Sequence, residues 1–205
     1  RHPCATARSP HRLMKCALFL DRDGVLNELV YYPSHDEWES PRTASDVRMI
    51  EGVRAPLERL VRAGWLLFIV TNQPSHAKGK AGREDLEAAH SRVVEELAVP
   101  IAASYLCFHH PDAIVEELRV RCDCRKPGAA SLRQAARDFD VDLAASWMVG
   151  DQDSDLLAGR AAGCRVALIE HEGSAHKRGT VEPDLRCRNL EELVTSLIPT
   201  SSAAP

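Results

Sequence analysis

Five short apolar runs, separated by segments of helical period, constrain this fold more than any other feature of the chain. They lie at 16–20, 65–70, 102–106, 146–149 and 165–169. Each is too short for a buried helix and lacks strict alternation, which is the pattern of a strand covered on both faces. The segments between them read as helices. In 52–63, Val53, Leu57, Leu60 and Val61 share one face, and Gly64 stops the run. In 83–97 the stripe is Leu86, Ala89, His90, Val93, Val94 and Leu97, with His90 read as a core or boundary residue. Further helices are expected at 128–138, 156–162 (ended by Gly163) and 189–197. Strands alternating with helices predict an α/β fold, a doubly wound parallel sheet flanked by helices.

The 205 residues suit one domain, expected at 16–198. Residues 1–15 mix Arg, His, Pro and Ser without period or an apolar stretch. They are expected to be a disordered leader rather than a secretory signal, with Met14 as the natural start. A Ser/Ala/Pro tail at 199–205 is expected to be disordered too. The net charge of −4 argues against nucleic acid or an anionic membrane as the main partner. No apolar run approaches the roughly 20 residues needed to span a bilayer. Seven cysteines, an odd number, fit a reducing compartment, the cytoplasm, better than a disulfide framework. A monomer is expected.

Chemistry collects at the strand ends. The first run stops in Asp21-Arg22-Asp23-Gly24, two carboxylates one residue apart. Such a pair repels itself unless a cation sits between, and Mg²⁺ favours carboxylate oxygens while leaving positions for a phosphate. The second run ends in Thr71-Asn72-Gln73, where a hydroxyl and backbone N–H groups can grip an anion. Lys126 precedes a helix, and the fourth run ends in Gly150-Asp151-Gln152-Asp153-Ser154-Asp155. Parallel strands put these ends on one edge of the sheet. The set supplies a carboxylate nucleophile, a second carboxylate for proton transfer, a metal cage and cationic and neutral groups for phosphoryl oxygens. The long segment 28–49, with Tyr31, Tyr32 and Trp38, is a candidate flap over this edge, and 74–82 is a loop carrying Lys78 and Lys80.

A second constellation is Cys107-Phe108-His109 with Cys122-Asp123-Cys124. C-x-H and C-x-C supply four ligands of the types Zn²⁺ prefers, enough for a closed, structural site. His110 is an alternative to His109.

The motifs D-x-D-G-V, T-N-Q, R-K-P and G-D-x-x-x-D resemble the four motifs of the haloacid dehalogenase (HAD) superfamily of phosphatases, over 16–197. The resemblance implies that Asp21 attacks phosphorus and forms an aspartyl-phosphate, and that Asp23 protonates the leaving oxygen and then activates water. It implies Mg²⁺ held by Asp21, Asp151 and the backbone carbonyl of Asp23, with Thr71 and Lys126 on the phosphoryl group. Asp155 would brace the last motif or reach the metal through water. The Zn²⁺ arm at about 107–124 resembles the heptose bisphosphate phosphatases, and less closely the histidinol phosphatases, whose arm is shorter. That branch implies a small phosphorylated sugar as substrate, losing the 7-phosphate of a heptose 1,7-bisphosphate, with histidinol phosphate or another phosphomonoester as the alternative. Asn72, Gln73, Arg125, Lys126 and Gln152 are the implied substrate contacts, Arg125 reaching the sugar or its second phosphate. No large cap domain is implied. Val25, Leu29, Val30, Pro74 and Gln152 depart from that branch on the substrate-facing side, and 31–47 is longer.

Overall fold

A computed structural model describes residues 14–34 and 36–198. The expected leader up to residue 13, Cys4 and the expected tail at 199–205 lie outside the described residues. In chain order the elements are β1 (Ala17–Leu20), β2 (Val30–Tyr32), β3 (Glu37–Glu39), α1 (Arg54–Arg62), β4 (Leu66–Asn72), α2 (Arg83–Leu97), β5 (Ala103–Cys107), α3 (Ala130–Phe139), β6 (Trp147–Gly150), α4 (Asp153–Ala162), β7 (Arg165–Ile169), β8 (Leu185–Cys187) and α5 (Leu190–Leu197).

Six strands form one parallel sheet in the order β5-β4-β1-β6-β7-β8. The chain winds outward from β1 to β5, returns to pair β6 with β1, and winds out the other way. A ligand crevice opens at that reversal, beyond the carboxyl ends of the strands. Alternation along each strand divides the core into two layers. Leu18, Leu20, Ile69 and Val149 face α1, α2 and α5 through Leu57, Leu60, Val93 and Leu193. Phe19, Phe68, Val70 and Met148 face α3 and α4 through Leu132, Ala135 and Leu156. Phe19 stacks on Phe68 at 5.1 Å between ring centres. Each fully buried aliphatic side chain contributes roughly 1.5–3 kcal/mol, so both layers hold the central strands rigidly behind the crevice.

The structure extends the sequence reading in three places. The sheet has a sixth strand, β8. The 28–49 segment contains the antiparallel hairpin β2–β3, separate from the main sheet. Beyond β7, where the sequence shows no helical pattern, Glu172–Lys177 forms a 3-10 helix. Two element ends also move: β4 runs through Thr71 to Asn72, and α4 starts at Asp153, which puts Asp155 in its first turn. Among the described residues no helix is long and apolar enough to cross a membrane.

Candidate active site

The Asp21 N–H donates to the Val149 carbonyl at 2.8 Å, tying the end of β1 to β6 beside the crevice. Lys126 comes from the far side of the fold, fully buried, to meet it. Its Nζ lies 2.7 Å from Asp21 Oδ1, 2.7 Å from Asp155 Oδ1 and 2.8 Å from the Val70 carbonyl, to which it donates. Burial alone would lower Lys126, but Asp155 and Asp21 outweigh it and hold the ammonium well above its ordinary range. Asp155 also accepts from the Gln152 N–H at 3.0 Å, capping α4.

Asp151 is different. It is fully buried, and neither carboxylate oxygen meets a donor. One oxygen each from Asp21, Asp151 and Asp155 lie within 4.8 Å of one another. Burial, then the charges of Asp21 and Asp155, push Asp151 well above the usual carboxylate range. Burial also pushes Asp21 up to about 7, against the pull of Lys126 and with the push of Asp155 and Asp23. One lysine does not balance three buried carboxylates, so the cluster fits a divalent cation. The backbone is shaped to it: Gly24 has φ +85°, and a Cβ there would lie 2.3 Å from Asp151 Oδ2.

Asp23 sits in a tight turn in which the Leu26 N–H donates to the Arg22 carbonyl at 2.8 Å. Its Oδ1 accepts from Arg22 Nε at 3.0 Å and Asn27 Nδ2 at 2.9 Å. Its Oδ2 accepts from Arg22 Nη2 at 3.1 Å and Gln73 Nε2 at 2.6 Å. Burial would raise this carboxyl, but Arg22 and Asn27 outweigh burial and hold it below its ordinary value. His90, on the buried side of α2, is pushed down to about 4 by burial and by Arg22, so it is neutral and part of the packing.

The T-N-Q segment is wired to both neighbours. Asn72 brackets the Lys126 backbone, Nδ2 donating to its carbonyl at 3.1 Å and Oδ1 accepting its N–H at 3.0 Å. Thr71 and Gln73 are buried, and Gln73 Nε2 donates to Thr71 Oγ1 at 3.0 Å. A cleft of about 350 Å³ opens above these residues. Its floor holds Asp21, Asp23, Lys126 and Asp155; its walls include Asn72, Arg125 and Gln152, the cations Lys78 and Lys177, and Glu39 and Ser40 at the end of the hairpin. Lys80 is paired with Glu39 and, at 3.1 Å, with Glu37, fastening the hairpin to the 74–82 loop. Of the residues expected to touch substrate or its phosphoryl group, Asn72, Arg125, Lys126 and Gln152 line the cleft, whereas Gln73 and Thr71 are buried behind its lining.

Cys107, His109, Cys122 and Cys124 come together at the root of the arm, their ligand atoms within 4.8 Å of one another. Cys107 Sγ lies 3.8 Å from His109 Nδ1, 3.6 Å from Cys122 Sγ and 3.5 Å from Cys124 Sγ, while Cys122 Sγ and Cys124 Sγ are closer together, at 2.9 Å. The edges of a tetrahedral site with Zn–S near 2.3 Å and Zn–N near 2.0 Å are about 3.5–3.8 Å. His110 accepts from the Asp112 N–H at 3.1 Å instead.

Comparison with known proteins gives the same grouping. A family of HAD-hydrolase-like proteins matches residues 123–193. The chain is 35% identical over 185 residues to the D-glycero-beta-D-manno-heptose-1,7-bisphosphate 7-phosphatase of Haemophilus ducreyi, covering 88% of this chain and 97% of that relative. It is 36% identical over 161 residues to the protein of the same name in Escherichia coli K12, covering 77% and 80%. The chain belongs to this family of HAD phosphatases. The structure is similar to that of D,D-heptose 1,7-bisphosphate phosphatase from B. bronchiseptica, solved with magnesium and phosphate (TM-score 0.73, 29% identity, 89% of this chain and 97% of that one).

Within the HAD frame, some site residues escape a reading of motifs alone. Arg22 lies inside D-R-D-G, but nothing in the sequence says that it is wholly buried against Asp23. Lys177, Glu39 and Ser40 reach the cleft from segments with no motif. The pair of lysines among the glycines of 74–82 was a visible signal, and the fold divides its labour: Lys78 lines the cleft and Lys80 holds the hairpin.

Proposed function

We propose that this chain is a magnesium-dependent phosphatase that removes one phosphate, the 7-phosphate, from a heptose 1,7-bisphosphate. The observation that carries the proposal is the buried Asp151, its carboxylate without a donor, against Asp21 and Asp155, which line a cleft that also holds Lys78, Arg125 and Lys177. Magnesium would be held by Asp21, Asp151 and the Asp23 backbone carbonyl, with Asp155 near enough to brace it. Bound there, it supplies positive charge for the Asp21 carboxylate and for the phosphoryl oxygens.

The residues then divide the work. An Asp21 oxygen attacks phosphorus, the ester P–O bond breaks, and Asp23 gives its proton to the leaving sugar oxygen, leaving an aspartyl-phosphate. The negative charge of the bound phosphoryl group raises the proton affinity of Asp23 for this step. A water molecule then attacks phosphorus and Asp23 takes its proton. The bond to Asp21 breaks and inorganic phosphate leaves. Lys126 and the Thr71 hydroxyl hold the phosphoryl oxygens through both steps. Lys78, Arg125 and Lys177 line the cleft beyond them and suit a second anionic group on the sugar. Zn²⁺ at Cys107, His109, Cys122 and Cys124 would fasten the arm, a closed structural site.

The test is magnesium-dependent phosphate release from a panel: both anomers of D-glycero-D-manno-heptose 1,7-bisphosphate, histidinol phosphate, fructose 1,6-bisphosphate and a 3′-phosphorylated oligonucleotide. Selective kcat/KM for one heptose anomer is expected. Preference for another member would refute the substrate assignment, and no magnesium-dependent release from any of them would refute the activity.

A further inference from the structure

Gln73 is fully buried and does not line the cleft, yet it contacts two residues given roles there. Its single amide nitrogen donates to Asp23 Oδ2 at 2.6 Å and to Thr71 Oγ1 at 3.0 Å. The orientation of the amide follows from chemistry: an ionised carboxylate only accepts, so the nitrogen, not the oxygen, faces Asp23. The Gln73 backbone is fixed as well, its N–H donating to the Cys107 carbonyl at 2.7 Å.

We infer that Gln73 is a positioning residue for proton transfer to the leaving group, setting the rotation of the Asp23 carboxylate and the hydrogen-bond direction of Thr71 together. The inference rests on the roles proposed for Asp23 and Thr71. On the Thr71 side, Gln73 can only give a hydrogen. Thr71 Oγ1 must accept there, which leaves its own hydrogen for a phosphoryl oxygen. On the Asp23 side, Arg22 and Asn27 hold Oδ1, while Oδ2 is held by the other arm of Arg22 and by Gln73. Arg22 and Asn27 approach from the same turn as Asp23. Ser40 reaches Asp23 from the end of the hairpin, and Gln73 is the contact from the end of a main-sheet strand, fifty residues away in sequence. Gln73 therefore fixes Asp23 relative to the residue that grips the phosphate, which contacts within one turn do not do.

The prediction is a defect that grows with the basicity of the leaving group. An alkyl oxygen must be protonated as the P–O bond breaks, whereas p-nitrophenolate leaves without a proton. Gln73→Leu keeps the size and removes the donor. Its kcat/KM is expected to fall for both kinds of ester, but about 10–100-fold further for a sugar phosphate than for p-nitrophenyl phosphate, a fraction of the 10²–10⁴ that general acid catalysis supplies. A series of aryl phosphates gives the same readout as a steeper dependence on leaving-group pKa, and it needs no knowledge of the natural sugar. Gln73→Met carries the test if Gln73→Leu does not fold: it keeps the length of the side chain, has no donor and should show the same split. An equal loss on all esters, or none, overturns the inference. Asp23→Asn is run beside it. A split in Asp23→Asn without one in the Gln73 variants sinks this inference alone; no split in Asp23→Asn sinks the role of Asp23 and the inference with it.

Discussion

Asp151→Asn should stabilise the metal-free protein while abolishing its response to magnesium. One carboxylate oxygen of Asp151 lies within 4.8 Å of oxygens of Asp21 and Asp155, and neither of its carboxylate oxygens meets a donor. Two unit charges at that separation repel by roughly 3–4 kcal/mol at an effective dielectric of about 20. Lys126 offsets part of the cluster's charge and partial protonation relieves more, so the strain removed at pH 8 is on the order of 2 kcal/mol. In a domain of this size each kcal/mol moves Tm by roughly 2–4 °C, so in EDTA the variant should melt about 4–8 °C above the wild type. Magnesium at about a hundred times its Kd adds about 2.7 kcal/mol to a protein that binds it, and the order of melting temperatures then inverts. The pH arm has a definite sign. Asp21 is raised from 3.8 to about 7, so the folded state keeps a proton that the unfolded chain has lost. Metal-free stability therefore falls as pH rises through that window and levels off above it. Thermal melts at pH 5 to 8, in EDTA and across a magnesium titration, read all of this. A variant that melts below the wild type in EDTA, or keeps the full magnesium response, would refute the reasoning.

Asp21→Asn should reduce turnover to background while the circular dichroism spectrum and fold stay intact; comparable activity would remove Asp21 as nucleophile. Lys126→Met leaves the carboxylate cluster without its cation, and breaking a buried pair in this way costs about 3–5 kcal/mol, read as a lower Tm in EDTA that magnesium partly restores. Protein purified without chelators should carry one zinc per chain by elemental analysis, and Cys124→Ser should lose the metal and expose the arm to proteases; absence of zinc in the wild type refutes the assignment. Glu39 is held at about 2: burial opposes this, and Lys80 and Arg42 outweigh it. Because its folded value is depressed, the hold on the hairpin is complete above the ordinary 4.5 and lost as pH falls toward 2, so the protection of the Val30–Tyr32 amides, measured relative to the free-chain exchange rate at each pH, should hold at pH 5 and drop below about pH 3.

Much of this was legible from the chain because it is local. Leu86, Ala89, Val93 and Leu97 repeat at helical spacing, and α2 occupies the residues their pattern marks. Asp21 and Asp23 follow an unbroken apolar strand, which places them at the crevice in any parallel sheet. The missed elements lack such signals. Leu185–Cys187 is three residues long, too short for a period, and exists as a strand because β7 offers an edge to pair with. The hairpin β2–β3 has charged and aromatic residues with no buried face of its own, and its place is set by Lys80, which lies in a distant loop. At the site, residue type showed which side chains carry chemistry but not which hold others still. The family resemblance implies substrate contacts at both Asn72 and Gln73; Asn72 does line the cleft, but only the fold shows the two amides turned onto the Lys126 backbone and onto Asp23.

Those two amides explain why the short T-N-Q segment recurs in the wiring of every part of the cleft. Thr71 presents a hydroxyl, Asn72 fixes the loop that delivers Lys126, and Gln73 fixes Asp23. All three stand at the end of β4 or just beyond it, between β1, which carries the proposed nucleophile, and β5, which leads into the Cys107 arm. A displacement of β4 would therefore move the phosphate grip, the cation and the proton donor together and keep their relative geometry. The substrate-facing residues are arranged differently: Lys78, Lys177 and Glu39 come from separate loops, and their positions depend on the hairpin clasp and the arm. On the proposed mechanism the chemistry is built on strand ends and the specificity on loops, so changes at Pro74 and Gln152, which line the cleft, are expected to alter which substrate is accepted more than the reaction itself.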